Sequence, residues 1–303
     1  MNIAVTGGTG FVGSALTGYL TSLYHHVYIL TRNSGNKQNK ENITFVEWLQ
    51  DDSRPEKELP SLDAVINLAG ASINDRWTSR QKQKILKSRI ESTKEVNRII
   101  DELEDKPKVL VNASAVGFYG TSRDVEFTEN SRPYNYNFLQ DVCRQWEGEA
   151  ANAAALGVRT VFARFGLILD DKEGALPKMM LPYKLFAGGP IGSGNQWYSW
   201  VHLKDVIQLI TFAMQTDAVE GPMNVTAPHP ERMEDFGKKL GRTMNRPHWA
   251  PVPASVLRTA LGEMSILILE GQKVLPQKPL EWGYHFSYPE LEGALQNIIS
   301  SRR

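Results

Sequence analysis

One cysteine, Cys143, occurs in 303 residues, and there is no net charge: 34 Lys and Arg are balanced by 34 Asp and Glu. A single thiol excludes an internal disulfide framework and fits a reducing, cytoplasmic setting. Cys143 reads as a small buried residue on a helix rather than as a nucleophile. Zero net charge removes the electrostatic case for nucleic acid or an anionic membrane as a partner. No apolar run approaches the ~20 residues that a membrane helix needs, and the run at 266–269 is far too short. No signal peptide is expected, because the N-terminus enters a strand at once. Internal repeats and low-complexity stretches are missing. No metal is expected: His25 and His26 lack an acidic partner at ligand spacing, which leaves a metal hydrolase unsupported.

What is present begins at residue 1. Met1-Asn2-Ile3-Ala4-Val5 reads as a buried strand, and Thr6-Gly7-Gly8-Thr9-Gly10-Phe11-Val12-Gly13 follows it. Phe11, Val12, Ala15, Leu16, Tyr19, Leu20 and Leu23 then recur at helical spacing. Strand, glycine turn and helix in this order form the context that makes a glycine pattern a dinucleotide-binding signal. Glycine permits positive φ and brings phosphate close to the backbone. The helix N-terminus offers unpaired N–H groups and partial positive charge to a pyrophosphate. Gly7, Thr9, Gly10, Phe11, Val12 and Gly13 are therefore candidate cofactor-binding residues.

The next segments alternate. Residues 27–30, 43–46, 64–70, 109–114 and 160–164 read as short apolar strands; 79–103 and 138–156 read as helices. Apolar runs without alternation suit parallel strands covered on both faces. The expectation is an α/β fold: a doubly wound parallel Rossmann sheet with a smaller, mostly helical C-terminal lobe. Residues 176–194, rich in Pro, Gly and Met, read as a lobe or loop over the sheet's edge. Residues 201–214 read as a helix region, 223–225 as a short strand, and the chain after Pro228 as mostly helical. The dinucleotide domain is assigned to 1–165 plus about 196–228. The substrate lobe is assigned to 166–195 plus 229–303.

The end of the second strand selects the cofactor. An acidic side chain there would bond a ribose 2′-OH, while arginine accommodates a 2′-phosphate. Arg32 lies nineteen residues after Gly13, Thr31 precedes it, and the next acidic residue is Glu41. Thr31 and Arg32 thus favour NADP(H), since a guanidinium can bind phosphate bidentately; the plain alternative is a solvated arginine. Leu68-Ala69-Gly70 ends the fourth strand in small residues that let the chain pass close to the adenosine ribose.

These blocks resemble the extended short-chain dehydrogenase/reductase superfamily, the NAD(P)-dependent epimerase/dehydratase group. The resemblance runs in order through Thr6 to Gly13, Asn67-Leu68-Ala69-Gly70, Ser114 to Gly120 with Phe118-Tyr119-Gly120, Arg164 to Leu169, and Tyr198 to Val206. It covers nearly the whole chain. Residues 85–93, 189–197 with Trp200, and 283–291 resemble more narrowly the atypical epimerase-like subfamily of SDR39U1 type. The C-terminal segment of those proteins, here about 249–295, resembles a small family-specific domain. The resemblance implies a small-molecule substrate and is compatible with a homodimer.

The sequence departs from the superfamily where proton transfer belongs. The usual Tyr-x-x-x-Lys maps to Leu139 and Cys143, taking Glu147 as the acidic residue that follows. Neither can supply a tyrosinate or a lysine ammonium. Arg89 stands where the superfamily has asparagine. It either reaches the cofactor's ribose or phosphates, or is a helix-surface residue paired with Glu95 or solvated. Ser114 lies five residues before Tyr119 rather than four. Ser114 and Tyr119 remain the candidate proton donors, alongside the lobe at 188–200. His202 reads as a hydrogen-bonded core residue rather than a base.

Two functions follow. One is an NADP(H)-dependent oxidoreductase or epimerase acting on a small polar, sugar-like substrate, in which the cofactor carries the hydride chemistry. The other is a non-catalytic NADP(H)-binding sensor or interaction module.

Overall fold

The computed structural model describes residues 1–35 and 37–300. The chain starts with β1 (Asn2–Thr6), α1 (Phe11–Ser22), β2 (His26–Thr31), β3 (Ile43–Glu47) and β4 (Ala64–Asn67). It continues with α2 (Ser79–Glu102), β5 (Val109–Ala115), β6 (Glu126–Phe127), α3 (Phe138–Ala150) and β7 (Arg159–Phe165). Next come β8 (Leu167–Leu169), α4 (Leu176–Lys184), β9 (Trp197–Tyr198), β10 (Trp200–His202) and α5 (Leu203–Gln215). The last part holds β11 (Gly221–Val225), β12 (Glu231–Arg232), α6 (Met233–Met244), α7 (Ala254–Leu261), α8 (Ile266–Leu269), β13 (Lys273–Val274), α9 (Gln277–Glu281) and α10 (Leu291–Ser300).

Seven strands form one sheet in the order β11-β7-β5-β4-β1-β2-β3, and every pairing is parallel. This is the doubly wound order, and its direction reverses between β1 and β4. Strand side chains alternate between faces. Ile3, Val5, Ile66, Val111 and Val161 pack with Leu16 and Leu20 of α1 and Val206, Leu209 and Ile210 of α5. Ala4, Leu30, Val65 and Leu110 pack with Val96, Ile99 and Ile100 of α2. Both faces are covered, which is why these strands read as continuous apolar runs.

Several boundaries differ from the sequence reading. The fourth strand stops at Asn67, and Leu68 to Gly70 form the turn after it. The helix expected over 138–156 is α3 followed by a 3-10 turn (Ala151–Leu156), ended by Gly157 with φ +77°. The segment over 176–194 contains α4. Residues 200–202 are β10 beside β8, and α5 starts only at Leu203, where the His202 ring accepts the Lys204 N–H as its cap.

The C-terminal segment is welded to the sheet layers. Asp205, fully buried on α5, accepts the N–H groups of Ser287 (2.7 Å) and Tyr288 (2.9 Å) and the Tyr284 hydroxyl (3.1 Å). β13 pairs with β6, and α10 packs with α6 and Trp200 in a third apolar cluster. No helix among the described residues is long and apolar enough to cross a membrane, and none of their His, Cys, Asp or Glu groups could hold a metal.

Candidate functional site

The carboxyl ends of β1, β4 and β5 are tied together by buried polar side chains. Thr6 Oγ1 donates to Asn67 Oδ1 (2.6 Å) and accepts the N–H groups of Leu68 and Ala69. Asn67 Nδ2 donates to Asn112 Oδ1 (2.6 Å) and Thr93 Oγ1 (3.0 Å). The Trp146 indole also donates to Thr93 Oγ1. Polar residues at the ends of otherwise apolar strands were the available signal for this network, which the sequence reading did not use. It fixes the 68–70 turn against the glycine turn at the point where the sheet reverses.

The glycine turn is built on close approach. Gly7 has φ +65°, and a Cβ there would lie 2.7 Å from Leu68 O. A Cβ on Gly13 would lie 2.1 Å from Gly7 O. Only glycine fits either position. Gly10 N donates to Gly7 O at 2.9 Å, closing the turn. Gly10 is also the N-cap of α1: it offers no side-chain cap, and the first turn holds no acidic residue. Thr9 and Gly10 are exposed, and Phe11 and Val12 are half-buried. The first N–H groups of α1 are therefore free to meet an anion. Phe11 is backed by Gly174, in the loop after β8, where a Cβ would stand 3.2 Å from its ring.

Arg32 is exposed just past β2, and its carbonyl accepts from Gln50. Its guanidinium has no carboxylate partner among the described residues. Thr31 Oγ1 lies in its own turn with Asn33. Strand pairing adds an acidic residue that linear distance concealed. Glu47 of β3 stands opposite Thr31, but its Oε2 is taken by Ser34 N (3.3 Å) and Oγ (2.8 Å).

Arg89 does not pair with Glu95, whose carboxylate holds Arg98. Instead Arg89 folds inward against Gly70, where a Cβ would lie 3.1 Å from its Cζ. It donates to Ala71 O and Ile85 O and stacks over Trp146, 5.0 Å from the ring centroid. Burial holds its pKa below the ordinary arginine value, and no carboxylate among the described residues offsets that.

Ser114 and Tyr119 belong to a different environment. Ser114 is 2 % exposed and donates to Glu147 Oε1 at 2.6 Å. Arg164 Nε and Nη2 bond the two Glu147 oxygens at 2.8 and 2.7 Å. Arg164 Nη1 donates to the Tyr119 hydroxyl, which donates to Asn224 Oδ1 at 2.7 Å. Tyr119 is fully buried, and its phenol is pushed up to about 12 by burial, against the lowering effect of Arg164. As packed, both hydroxyls are spent inside a buried network joining β5, α3, β7 and β11. Leu139 and Cys143 do face the turn after β5: a Cβ on Gly117 would lie 3.3 Å from Leu139 Cβ and 3.7 Å from Cys143 Sγ. Burial pushes the Cys143 thiol up to about 12, so it is no nucleophile at neutral pH. His202 stacks on Tyr288 and bonds Asn297, as a core histidine does.

Residues 3–226 match the NAD dependent epimerase/dehydratase family, and residues 252–298 match a domain of unknown function, DUF1731. The chain is 52 % identical over 303 residues to the epimerase family protein YfhF of Bacillus subtilis, covering 100 % of this chain and 99 % of that one. It is 44 % identical over 297 residues to the epimerase family protein SERP0438 of Staphylococcus epidermidis, with 98 % of each covered. The crystal structure of the human epimerase family protein SDR39U1 with NADPH superposes with a TM-score of 0.87 at 33 % identity, covering 99 % of both chains. MoeE5 in complex with UDP-glucose and NAD shares the fold, with a TM-score of 0.79 at 17 % identity over 100 % of this chain and 99 % of that one. With the family matched across the whole sheet and full-length relatives above 40 % identity, this chain belongs to the NAD dependent epimerase/dehydratase family.

Proposed function

We propose that this protein is an NADP(H)-dependent oxidoreductase or epimerase of the atypical short-chain dehydrogenase/reductase type, acting on a small molecule in the cytoplasm. The observation that carries the reading is the glycine cradle at the reversal point of the sheet. Gly7 and Gly13 leave no room for a side chain because backbone packs against both, and the start of α1 beside them carries no side-chain cap. These residues fit a pyrophosphate. Arg32, with no carboxylate partner among the described residues, supports a 2′-phosphate and hence NADP(H). Thr31, Thr9, Phe11 and Val12 would border the same cofactor, and Leu68, Ala69 and Gly70 would pass its adenosine ribose.

Arg89 is assigned to the same ligand. A half-buried cation without a carboxylate partner among the described residues is costly, and a phosphate at Gly70 would compensate it. It would take over the holding role of the missing lysine from α2 instead of α3. The cofactor, when bound, supplies hydride transfer at its nicotinamide. The chain's own residues orient it and keep Leu139 and Cys143, rather than a proton donor, beside the turn after β5. We assign binding of the dinucleotide to residues 1–165 with 196–228, and the substrate side to 166–195 with 229–303.

The test is isothermal titration with NADPH, NADP⁺, NADH and NAD⁺, on wild type and Arg32→Ala. A preference for the phosphorylated pair that disappears in Arg32→Ala is the expected result. Equal affinity for all four would refute the role of Arg32, and no binding at all would refute the function.

A further inference from the structure

We infer that the substrate of this site has an apolar, aromatic-sized body, and that residues 262–267 form a roof it displaces on binding. This rests on the dinucleotide reading above and names the substrate class for the same site. The argument starts at Leu139, which occupies the position of the superfamily's proton-donating tyrosine and packs against the turn after β5. Its neighbours form a closed apolar cluster with Ile73, Trp77, Phe138, Met264 and Ile266. This cluster is separate from the two apolar layers of the sheet. It joins the loop after β4, the start of α2 and the first turn of α3, at the carboxyl ends of β4 and β5. Ligands of open α/β sheets bind on that side.

The cluster's chemistry is unsuited to a sugar nucleotide. Trp77 and Phe138 meet edge to face at 5.3 Å, and the Trp77 indole N–H is spent on Ile73 O. Lys82 at the rim is paired with Glu263 and lies 5.4 Å from the Phe138 ring centroid. A diphosphate would need unpaired cations or N–H donors within the cluster, whereas Lys82 is paired and the Arg76 guanidinium lies at its edge beside Gly262. A flat apolar body would find two aromatic faces and a leucine.

The roof holds one buried side chain, Ser265, and lies between a glycine and an anchored carbonyl. Helix α7 buries none of its residues. Gly262, with φ +60°, follows it as a pivot. Beyond the roof the chain is anchored, because Gln196 Nε2 donates to Ile268 O at 3.0 Å. Between pivot and anchor, Met264 and Ile266 supply the contacts with the floor, helped by the Lys82–Glu263 ion pair. Methionine, flexible and apolar, is readily exchanged for an apolar ligand.

The experiment titrates NADP⁺-loaded protein, which cannot turn the probe over by reduction, with 2-acetylnaphthalene and separately with UDP-glucose. The expected result is saturable binding of the naphthyl ketone and no heat from UDP-glucose. Trp77→Ala should weaken the ketone about tenfold, the loss of one stacked aromatic face, with NADP⁺ affinity unchanged. Met264→Ala, which removes a side chain competing for the floor, should tighten the ketone, an outcome that nonspecific adhesion would not give. UDP-glucose binding, whether or not it survives Trp77→Ala, overturns the inference. So does ketone binding indifferent to both variants, or binding of neither probe to protein that still holds NADP⁺. Failure to bind NADP⁺ overturns instead the function beneath it.

Discussion

Replacing Glu147 by alanine tests the buried network under the site. The wild-type carboxylate accepts three hydrogen bonds, two from Arg164 and one from Ser114, with Arg164 and Glu147 both over nine-tenths buried. Alanine would leave the guanidinium with the Tyr119 hydroxyl as its one side-chain hydrogen-bond partner and the Phe118 ring, 3.5 Å away, as its stacking partner. Breaking a buried pair from one side costs about 3–5 kcal/mol, because the remaining charge stays buried. Unfolding entropy of about 2.1 cal/mol/K per residue makes this roughly 5–8 °C of Tm for a chain of this length. Differential scanning calorimetry reads that shift directly. The double variant Glu147→Leu with Arg164→Met should recover more than half of it, since an apolar pair of similar volume carries no desolvation cost. A Glu147→Ala protein within roughly 1 °C of wild type would refute the reasoning, because the stranded charge would then have found compensation the geometry does not show.

Gly13→Ala would place a methyl 2.1 Å from Gly7 O and 2.7 Å from Gly8 Cα, so the turn must open. NADPH affinity by titration should fall about a hundredfold with circular dichroism little changed, and retained affinity would count against the cradle. Arg89→Met keeps the packing on Trp146 but removes a half-buried cation that has no carboxylate partner among the described residues. It should weaken NADPH about tenfold while Tm holds or rises, and a fall in Tm with unchanged affinity would return Arg89 to a structural role. Burial lowers the His202 pKa, so the unfolded chain binds the proton first as pH drops. Its contribution is present above the ordinary histidine value of about 6.5 and is lost as pH falls through the lower folded value. Protonation would also remove the Nδ1 acceptor that caps α5. Tm should therefore fall from about pH 7.5 to about pH 5.5, and His202→Asn should flatten that slope, as thermal melts would report.

The sheet was legible because parallel strands buried on both faces carry an unmistakable pattern, and the glycine turn because its steric demands admit one residue type. Boundaries were harder. The short strands β8, β9, β10, β12 and β13 involve two or three residues each, too few for periodicity to register. His202 reads as part of a helix until its ring is seen capping α5. Arg89 was legible as a candidate but not as inward-facing, since its contacts with Gly70 and Trp146 lie 19 and 57 positions away in sequence. Ser114 and Tyr119 were chosen by motif register; only packing reveals that Arg164 and Glu147 absorb both hydroxyls. Glu47 was missed for a similar reason, since strand pairing, not chain distance, sets it beside Thr31.

Asp205 has a consequence for how the molecule is made. Its three partners lie on residues 284–288, about eighty positions downstream. A nascent chain that has emerged only through β11 can pair all seven strands, yet α5 then carries a carboxylate with no donors in the place it must bury. At roughly 5–20 residues per second, a ribosome needs several seconds to deliver the missing donors. During that interval α5 cannot dock fully without stranding a charge. Residues 284–288 therefore act as a latch on the central layers, and chains cut before residue 284 should expose the apolar face of α5 to chaperones and proteases.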